Sequence, residues 1–230
     1  DFDYIKEKGK LVVGITEFEP MDYKDANGEW IGFDADLGKA VAEKMGVDIE
    51  FVVIDWDNKF LELDTKAIDC IWNGMTITNE VTQNSSASNA YAVNQQIVVM
   101  NADKAANYTT VESLKDLTFA VENGSAGQEA ADAQGLKTVA VTAQADALLE
   151  VKSGAVDACI IDSTMALAMT GEGTDYADLT TSVSLAEEQY GISFRKDSDM
   201  TEKMNAYLEE FKADGTLKAL SEKYGVLLAD

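Results

Sequence analysis

The stretch Asp69-Cys70-Ile71-Trp72-Asn73-Gly74-Met75-Thr76-Ile77-Thr78-Asn79-Glu80-Val81 decides the fold. Its apolar run, Cys70 to Trp72, reads as a short buried strand. The run breaks at Asn73-Gly74, a turn signal. Thr76 and Thr78 then place hydroxyls beside backbone N–H groups that a strand no longer pairs. In α/β sheets small ligands sit beyond the carboxyl ends of strands, where such turns occur. A buried strand with a hydroxyl-rich exit therefore suggests a site for a small polar ligand. The same residues also suit an ordinary strand exit with threonines in turn positions.

Working outward, strands and helices alternate. Residues 11–15 are a β-branched run and a first strand. Its exit carries Phe18, which either caps a ligand or packs on its neighbours, and Pro20, the sole proline of the chain. Asn27-Gly28 is a hairpin-type turn signal. Residues 34–45 read as a helix with Asp34 as N-cap, Leu37, Val41 and Met45 on one face, and Gly46 as the stop. Residues 49–54 form a second strand, and residues 60–66 a short helix. Lys59 stands at that helix's start, where a cation opposes the macrodipole. It is therefore either solvated or matched to an anion.

The pattern restarts further on. Residues 95–100 and 117–121 read as strands, the latter leaving through Glu122-Asn123-Gly124-Ser125-Ala126-Gly127-Gln128 into a helix. Such a turn presents N–H groups that suit an anion, although no Walker loop is present. Residues 137–141 are a strand, 146–153 a helix, and 158–161 a buried strand leaving at Asp162-Ser163-Thr164. Residues 190–196 read as a strand, and 201–213 and 216–224 as helices. The two halves share a phrase: helix end, an apolar residue then Asp69 or Asp157, a short apolar strand, and a polar exit. That pattern predicts two similar α/β lobes, and no Pro/Gly/Ser-rich linker separates them.

The totals exclude several functions. The chain has 230 residues, a net charge of −24, no histidine and one arginine, Arg195. Phosphate backbones need clustered cations, so nucleic acid is not an expected partner. Without histidine there is no Ser-His-Asp or Cys-His pair and no His-based zinc site. No cofactor and no metal are expected. Cys70 and Cys159 lie in apolar runs and read as small core residues. No run of about 18 apolar residues is present to span a bilayer. The chain opens at Asp1 without a charged-then-apolar leader, so an exported protein is expected to have lost its signal.

Four phrases together resemble the solute-binding proteins of polar amino acid ABC importers (bacterial extracellular solute-binding proteins, family 3). They are Gly32-Phe33-Asp34-Ala35-Asp36-Leu37, Ile68-Asp69 with Gly74-Met75-Thr76-Ile77-Thr78, Tyr190-Gly191-Ile192, and Ala213-Asp214-Gly215-Thr216-Leu217 with Lys223-Tyr224. The resemblance implies a type II periplasmic-binding-protein fold, α/β in class, with two lobes joined by two crossover segments near residues 92–95 and 191–193. Residues 1–92 and 193–230 would form one lobe and 93–192 the other, closing on ligand by hinge motion.

The resemblance also implies roles. Asp162 matches the aspartate that holds a ligand's α-ammonium, and Phe18 the aromatic that covers its side chain. Asn73, Gly74 and Thr76 match the hydroxyl and backbone contacts after the central strand, and Trp72 would narrow the pocket or serve the core. The family's arginine for the α-carboxylate is replaced here by Val81, and a lobe-two hydroxyl by Ala126. Leaving a carboxylate unpaired would cost several kcal/mol. Lys59, with the N–H groups near Gly124 and Ser125, is the expected substitute.

The resulting expectation is a non-enzymatic, extracytoplasmic binding protein for an amino acid or similar amine. Its partner would be a membrane permease, its state monomeric, and its anchor, where present, lipid. A cyclohexadienyl-dehydratase-like lyase would need a carboxyl general acid such as Glu17 or Glu19. A sensory or surface module is the third reading.

Overall fold

Parallel β-branched strands form the centre of each half of the chain. The computed structural model describes residues 1–230. One compact unit comprises Asp1–Val93 with Gln189–Asp230, the other Asn94–Glu188. In the first unit, α1 (Phe2–Lys8) leads into β1 (Lys10–Ile15), buried along all but its first residue. The hairpin β2 (Tyr23–Lys24) and β3 (Trp30–Ile31) turns at Asn27-Gly28, as its sequence predicts. Then come α2 (Phe33–Met45), β4 (Asp48–Val53), a 3-10 turn (Trp56–Asn58), α3 (Lys59–Asp64), β5 (Cys70–Thr76), α4 (Asn79–Asn84) and β6 (Ser86–Ala87).

The strand β7 (Ala92–Asn101) runs on into the second unit. That unit holds α5 (Ala102–Ala105), β8 (Thr118–Glu122), α6 (Ala126–Ala133), β9 (Lys137–Val141), α7 (Gln144–Ser153), β10 (Ala158–Asp162) and α8 (Ser163–Met169). The long β11 (Leu179–Phe194) returns to the first unit, which ends with α9 (Met200–Ala213) and α10 (Thr216–Tyr224). No helix is long and apolar enough to cross a membrane.

The two units repeat one strand plan. In the first, β4, β1 and β5 are parallel neighbours and β11 adds antiparallel to β5. In the second, β9, β8 and β10 are parallel neighbours and β7 adds antiparallel to β10. Each central strand is tied at its start by an aspartate. Asp69 Oδ2 accepts the Val12 N–H at 2.8 Å while its own N–H reaches Val12 O at 2.7 Å. Asp157 does the same with Thr118, at 2.9 and 3.1 Å. These are the aspartates of the repeated phrase, and their role is structural.

Packing follows the apolar runs. Ile54, Trp56, Leu63, Ile68, Ile71 and Val81 cluster in the first unit, and Val98, Leu114, Phe119, Val121 and Ile160 in the second. Cys70 and Cys159 are buried free thiols, as their apolar context predicts.

Four elements differ from the sequence reading. Asp34 is not the N-cap of α2; Gly32 takes that position and Asp34 turns inward as a buried carboxylate. The strand expected from residue 190 begins at Leu179, because its first half exposes Ser and Glu on one face and carries no continuous apolar signal. Helices α1 and α8 are short, and their charged or mixed composition hides the helical period.

Gly32 is required where it stands. Its φ is 127°, a region L side chains avoid. A Cβ there would also lie 2.1 Å from the Met21 carbonyl oxygen. Gly32→Ala is expected to cost about 3 kcal/mol in urea-unfolding measurements. A variant as stable as the parent would contradict this packing.

Candidate functional site

In the first unit the exit of β5 is built mostly from buried groups. Asn73 does not project outward. Its Oδ1 accepts the Thr16 N–H at 3.0 Å and its Nδ2 donates to Thr16 Oγ1 at 2.7 Å, tying the exits of β1 and β5. Gly74 has φ 54° and offers its N–H to Asp34 Oδ2 at 2.6 Å. A Cβ on Gly74 would stand 2.8 Å from the Phe18 ring, so Phe18 packs on this glycine and is itself buried. Trp72 is buried beside Gly38 of α2. Thr76 is partly exposed and pairs in register with Tyr190.

Val81 and Lys59 lie next to this exit. Val81 is buried in the apolar cluster, and its N–H is capped by Thr78 Oγ1 at 3.2 Å. Lys59 is not a solvated surface lysine, because only 3% of it is exposed. Its ammonium lies 5.3 Å from the Trp56 ring centroid and 4.9 Å from that of Phe60. It also donates to Trp56 O at 3.3 Å and stands 4.0 Å from Glu80 Oε2. Aromatic faces attract a cation, which offsets part of its desolvation.

Beneath the exit lies a buried acid pair. Asp34 accepts from the Tyr91 hydroxyl at 2.7 and 2.9 Å as well as from Gly74. Burial raises its pKa to about 7, although the Tyr91 and Gly74 hydrogen bonds pull the other way. Asp22 is fully buried and neither carboxyl oxygen has a hydrogen-bond partner. Burial first, and then repulsion from Asp34, push its pKa well above the ordinary value, with Lys39 opposing.

In the second unit the exit of β10 is a carboxylate set in amides. Asp162 is 4% exposed. Its Oδ1 accepts from Asn94 Nδ2 and, at 3.0 Å, from Gln96 Nε2. Its Oδ2 accepts from Gln144 Nε2 at 2.5 Å, and its N–H donates to Gln144 Oε1 at 2.8 Å. Such donors favour the ionised carboxylate. Asn94 and Gln96 also donate to Glu188 Oε1, at 2.6 and 2.8 Å.

The Gly124-Ser125 turn spends its groups locally. The Gly124 N–H donates to Gln128 Oε1 at 2.8 Å and the Ser125 N–H to Glu122 O at 3.2 Å. Ser125 Oγ caps α6 by accepting from Gln128 N–H at 3.1 Å. The expected anion cradle at those two amides is therefore engaged by the turn itself.

Residues 11–226 match the bacterial extracellular solute-binding proteins, family 3. The chain belongs to that family. It is 32% identical over 226 residues to the arginine-binding extracellular protein ArtP of Bacillus subtilis, covering 94% of this chain and 86% of ArtP. Among solved structures, the P235GK mutant of ArgBP from T. maritima is 38% identical with TM-score 0.89, over 97% of this chain and 98% of that one. The ancestral amino acid-binding protein AncCDT-1, a precursor of cyclohexadienyl dehydratase, is 33% identical with TM-score 0.88, over 97% and 98%. The type II periplasmic-binding-protein fold expected from the sequence is that of these neighbours.

Within this family member, Asn94, Gln96, Gln144 and Glu188 form the polar cluster with Asp162, and sequence reasoning singled out none of the four. One signal was available: Asn94 and Gln96 stand two apart on the otherwise apolar face of β7 that carries Ala92, Val98 and Met100, and both are buried. Gln144 and Glu188 carry no local signal.

The acid pair generates a pH prediction. Both carboxyls have folded pKa values above the ordinary 3.8, so the folded chain holds more protons than the unfolded one across that interval. Their contribution to stability is complete below pH 3.8 and is lost as pH rises through about 7. Urea unfolding between about pH 5 and about pH 8, which covers the upper part of that interval, should show falling stability. Asp22→Asn should flatten the slope and stabilise the protein at the alkaline end; an unchanged slope would exclude the pair as its source.

Proposed function

We propose that this chain is the extracytoplasmic solute-binding component of an amino acid ABC importer, and that Asp162 holds the ammonium of a small amine-bearing solute. The observation that carries this is the Asp162 carboxylate itself, nearly buried and held by amide donors from Asn94, Gln96 and Gln144. A nearly buried carboxylate offers acceptor oxygens that favour a cation among possible ligands. Membership of a solute-binding family and similarity to a protein named as arginine-binding support the same class.

The rest of the ligand draws on Thr76 and Lys59 of the first unit. Asn73, Gly74, Phe18 and Trp72 act behind them as the packing that fixes the β5 exit. The position where the resemblance calls for an arginine is the buried Val81, so Lys59 supplies the positive charge for an anionic end. In the second unit, Gly124 and Ser125 shape the start of α6. On this reading the partner is a membrane permease, and the protein acts as a monomer outside the cytoplasm, either periplasmic or held at the cell surface as a lipoprotein. Glu17, which a lyase would use as general acid, is solvent-exposed.

A thermal-shift screen over L-arginine, L-lysine, L-ornithine, L-cystine and putrescine tests the class. Ligand at a hundredfold excess over Kd adds about 2.7 kcal/mol of stability. Asp162→Asn should abolish the shift. Lys59→Ala should weaken carboxylate-bearing ligands about tenfold or more while sparing putrescine. Affinity of Lys59→Ala for the carboxylate-bearing ligands equal to the parent's would remove Lys59 from the site.

A further inference from the structure

The Asp162 carboxylate has a companion. Asn94 Nδ2 donates to Asp162 Oδ1 and to Glu188 Oε1, the latter at 2.6 Å. Gln96 Nε2 donates to the same two oxygens, at 3.0 and 2.8 Å. Each amide NH2 has two hydrogens, and each sends one to either acid. The two carboxylate oxygens are thereby held side by side by a double bracket of neutral donors. Asn94 and Gln96 are buried and point from one face of β7, while Glu188 is half-buried on β11.

The bracket is itself braced. Asn94 Oδ1 accepts from Ser163 Oγ at 3.0 Å and from the Thr164 N–H at 3.2 Å, so its amide cannot turn without losing both. Gln144 fixes the other oxygen of Asp162. Gln96 Oε1 is buried with no hydrogen-bond partner, so that residue is oriented by its donors to the two acids and not by its acceptor.

The amides that position these oxygens are neutral donors shared by both acids. Two like charges this close repel in a partly desolvated setting. A single cationic group with several N–H donors relieves the repulsion and can donate to both. A primary ammonium has three such donors, whereas a hydroxyl has one. We propose that Glu188 is a specificity-determining residue, and that with Asp162 it forms a two-carboxylate receptor selecting a protonated primary amine over a neutral group of similar shape. This rests on Asp162 holding the ligand's ammonium and adds a second residue to that contact.

The test is calorimetric titration of the full chain with L-arginine and with argininic acid, its analogue carrying a hydroxyl for the α-amine, beside L-lysine, L-ornithine, L-cystine and putrescine. The parent should bind an amine of the panel and bind L-arginine more tightly than argininic acid. Glu188→Gln should weaken amine binding about tenfold or more, as expected for loss of a charged hydrogen-bond partner, with a smaller effect on the hydroxyl analogue. Glu188→Asp should restore part of the amine affinity, which a merely structural role would not require. The thermal transition of unliganded Glu188→Gln serves as the folding control. Amine binding that Glu188→Gln leaves unchanged, or that falls equally for amine and analogue, overturns this inference and leaves the Asp162 reading standing. Failure of the parent to bind any amine of the panel overturns both.

Discussion

Each unit depends on one aspartate at the start of its central strand. Asp69 and Asp157 each exchange hydrogen bonds with a single residue of the neighbouring first strand, Val12 and Thr118. The side-chain carboxylate reaches an N–H that the ladder leaves open, and the backbone N–H returns to the same residue's carbonyl. This sets the strand's register against its neighbour, and a one-residue slip would invert every side chain. The far end of the strand then exits at a defined place. Asn73-Gly74 in one unit and Asp162 in the other are where they are because their strands are pinned at the opposite end. Asp69 is itself fully buried and is held by Lys8 at 2.6 Å, with Arg195 at 3.7 Å, so its charge is matched. The only arginine of the chain is thus spent on the framework.

A second constraint governs the first unit's exit. Gly74 must be glycine for φ and for the Phe18 ring, and its N–H is taken by Asp34. Asp34 in turn holds Tyr91, which stacks on Phe33 at a centroid distance of 5.8 Å. A buried polar network of this kind is worth most when every member is satisfied. Asp22 beside it is not, and the cost appears as a carboxyl that resists ionisation. Acidic residues are abundant in this chain, and most lie on its surface. The buried ones are Asp22, Asp34, Asp69, Glu122 and Asp162, and of these Asp69 and Asp34 tie the framework together.

The strand ends were legible from local pattern because a buried strand is a short apolar run and its exit is polar. Asp162 was singled out by the resemblance, and the structure places it, buried, as the last residue of β10. Lys59 was legible as an anomaly, a cation at a helix start, although its burial between Trp56 and Phe60 was not. Asp34 misled for a physical reason. An aspartate just before an apolar period suits an N-cap, but here the glycine two residues earlier takes the cap and frees the carboxylate to face inward. At Gly124 the sequence did not show that Gln128, one turn on, reaches back and accepts from the amide.

The sequence by itself determined the α/β alternation, the doubled strand phrase, the family, and the exclusion of histidine chemistry. Those follow from composition, periodicity and motif spacing, which are local properties. Tertiary structure alone decided which polar groups point inward and what they touch. Asn94, Gln96, Gln144, Asp162 and Glu188 come from four separate elements, β7, α7, β10 and β11, and meet only because strand pairing brings them together. A hydrogen bond is a matter of ångströms in space, and separation along the chain carries no information about it.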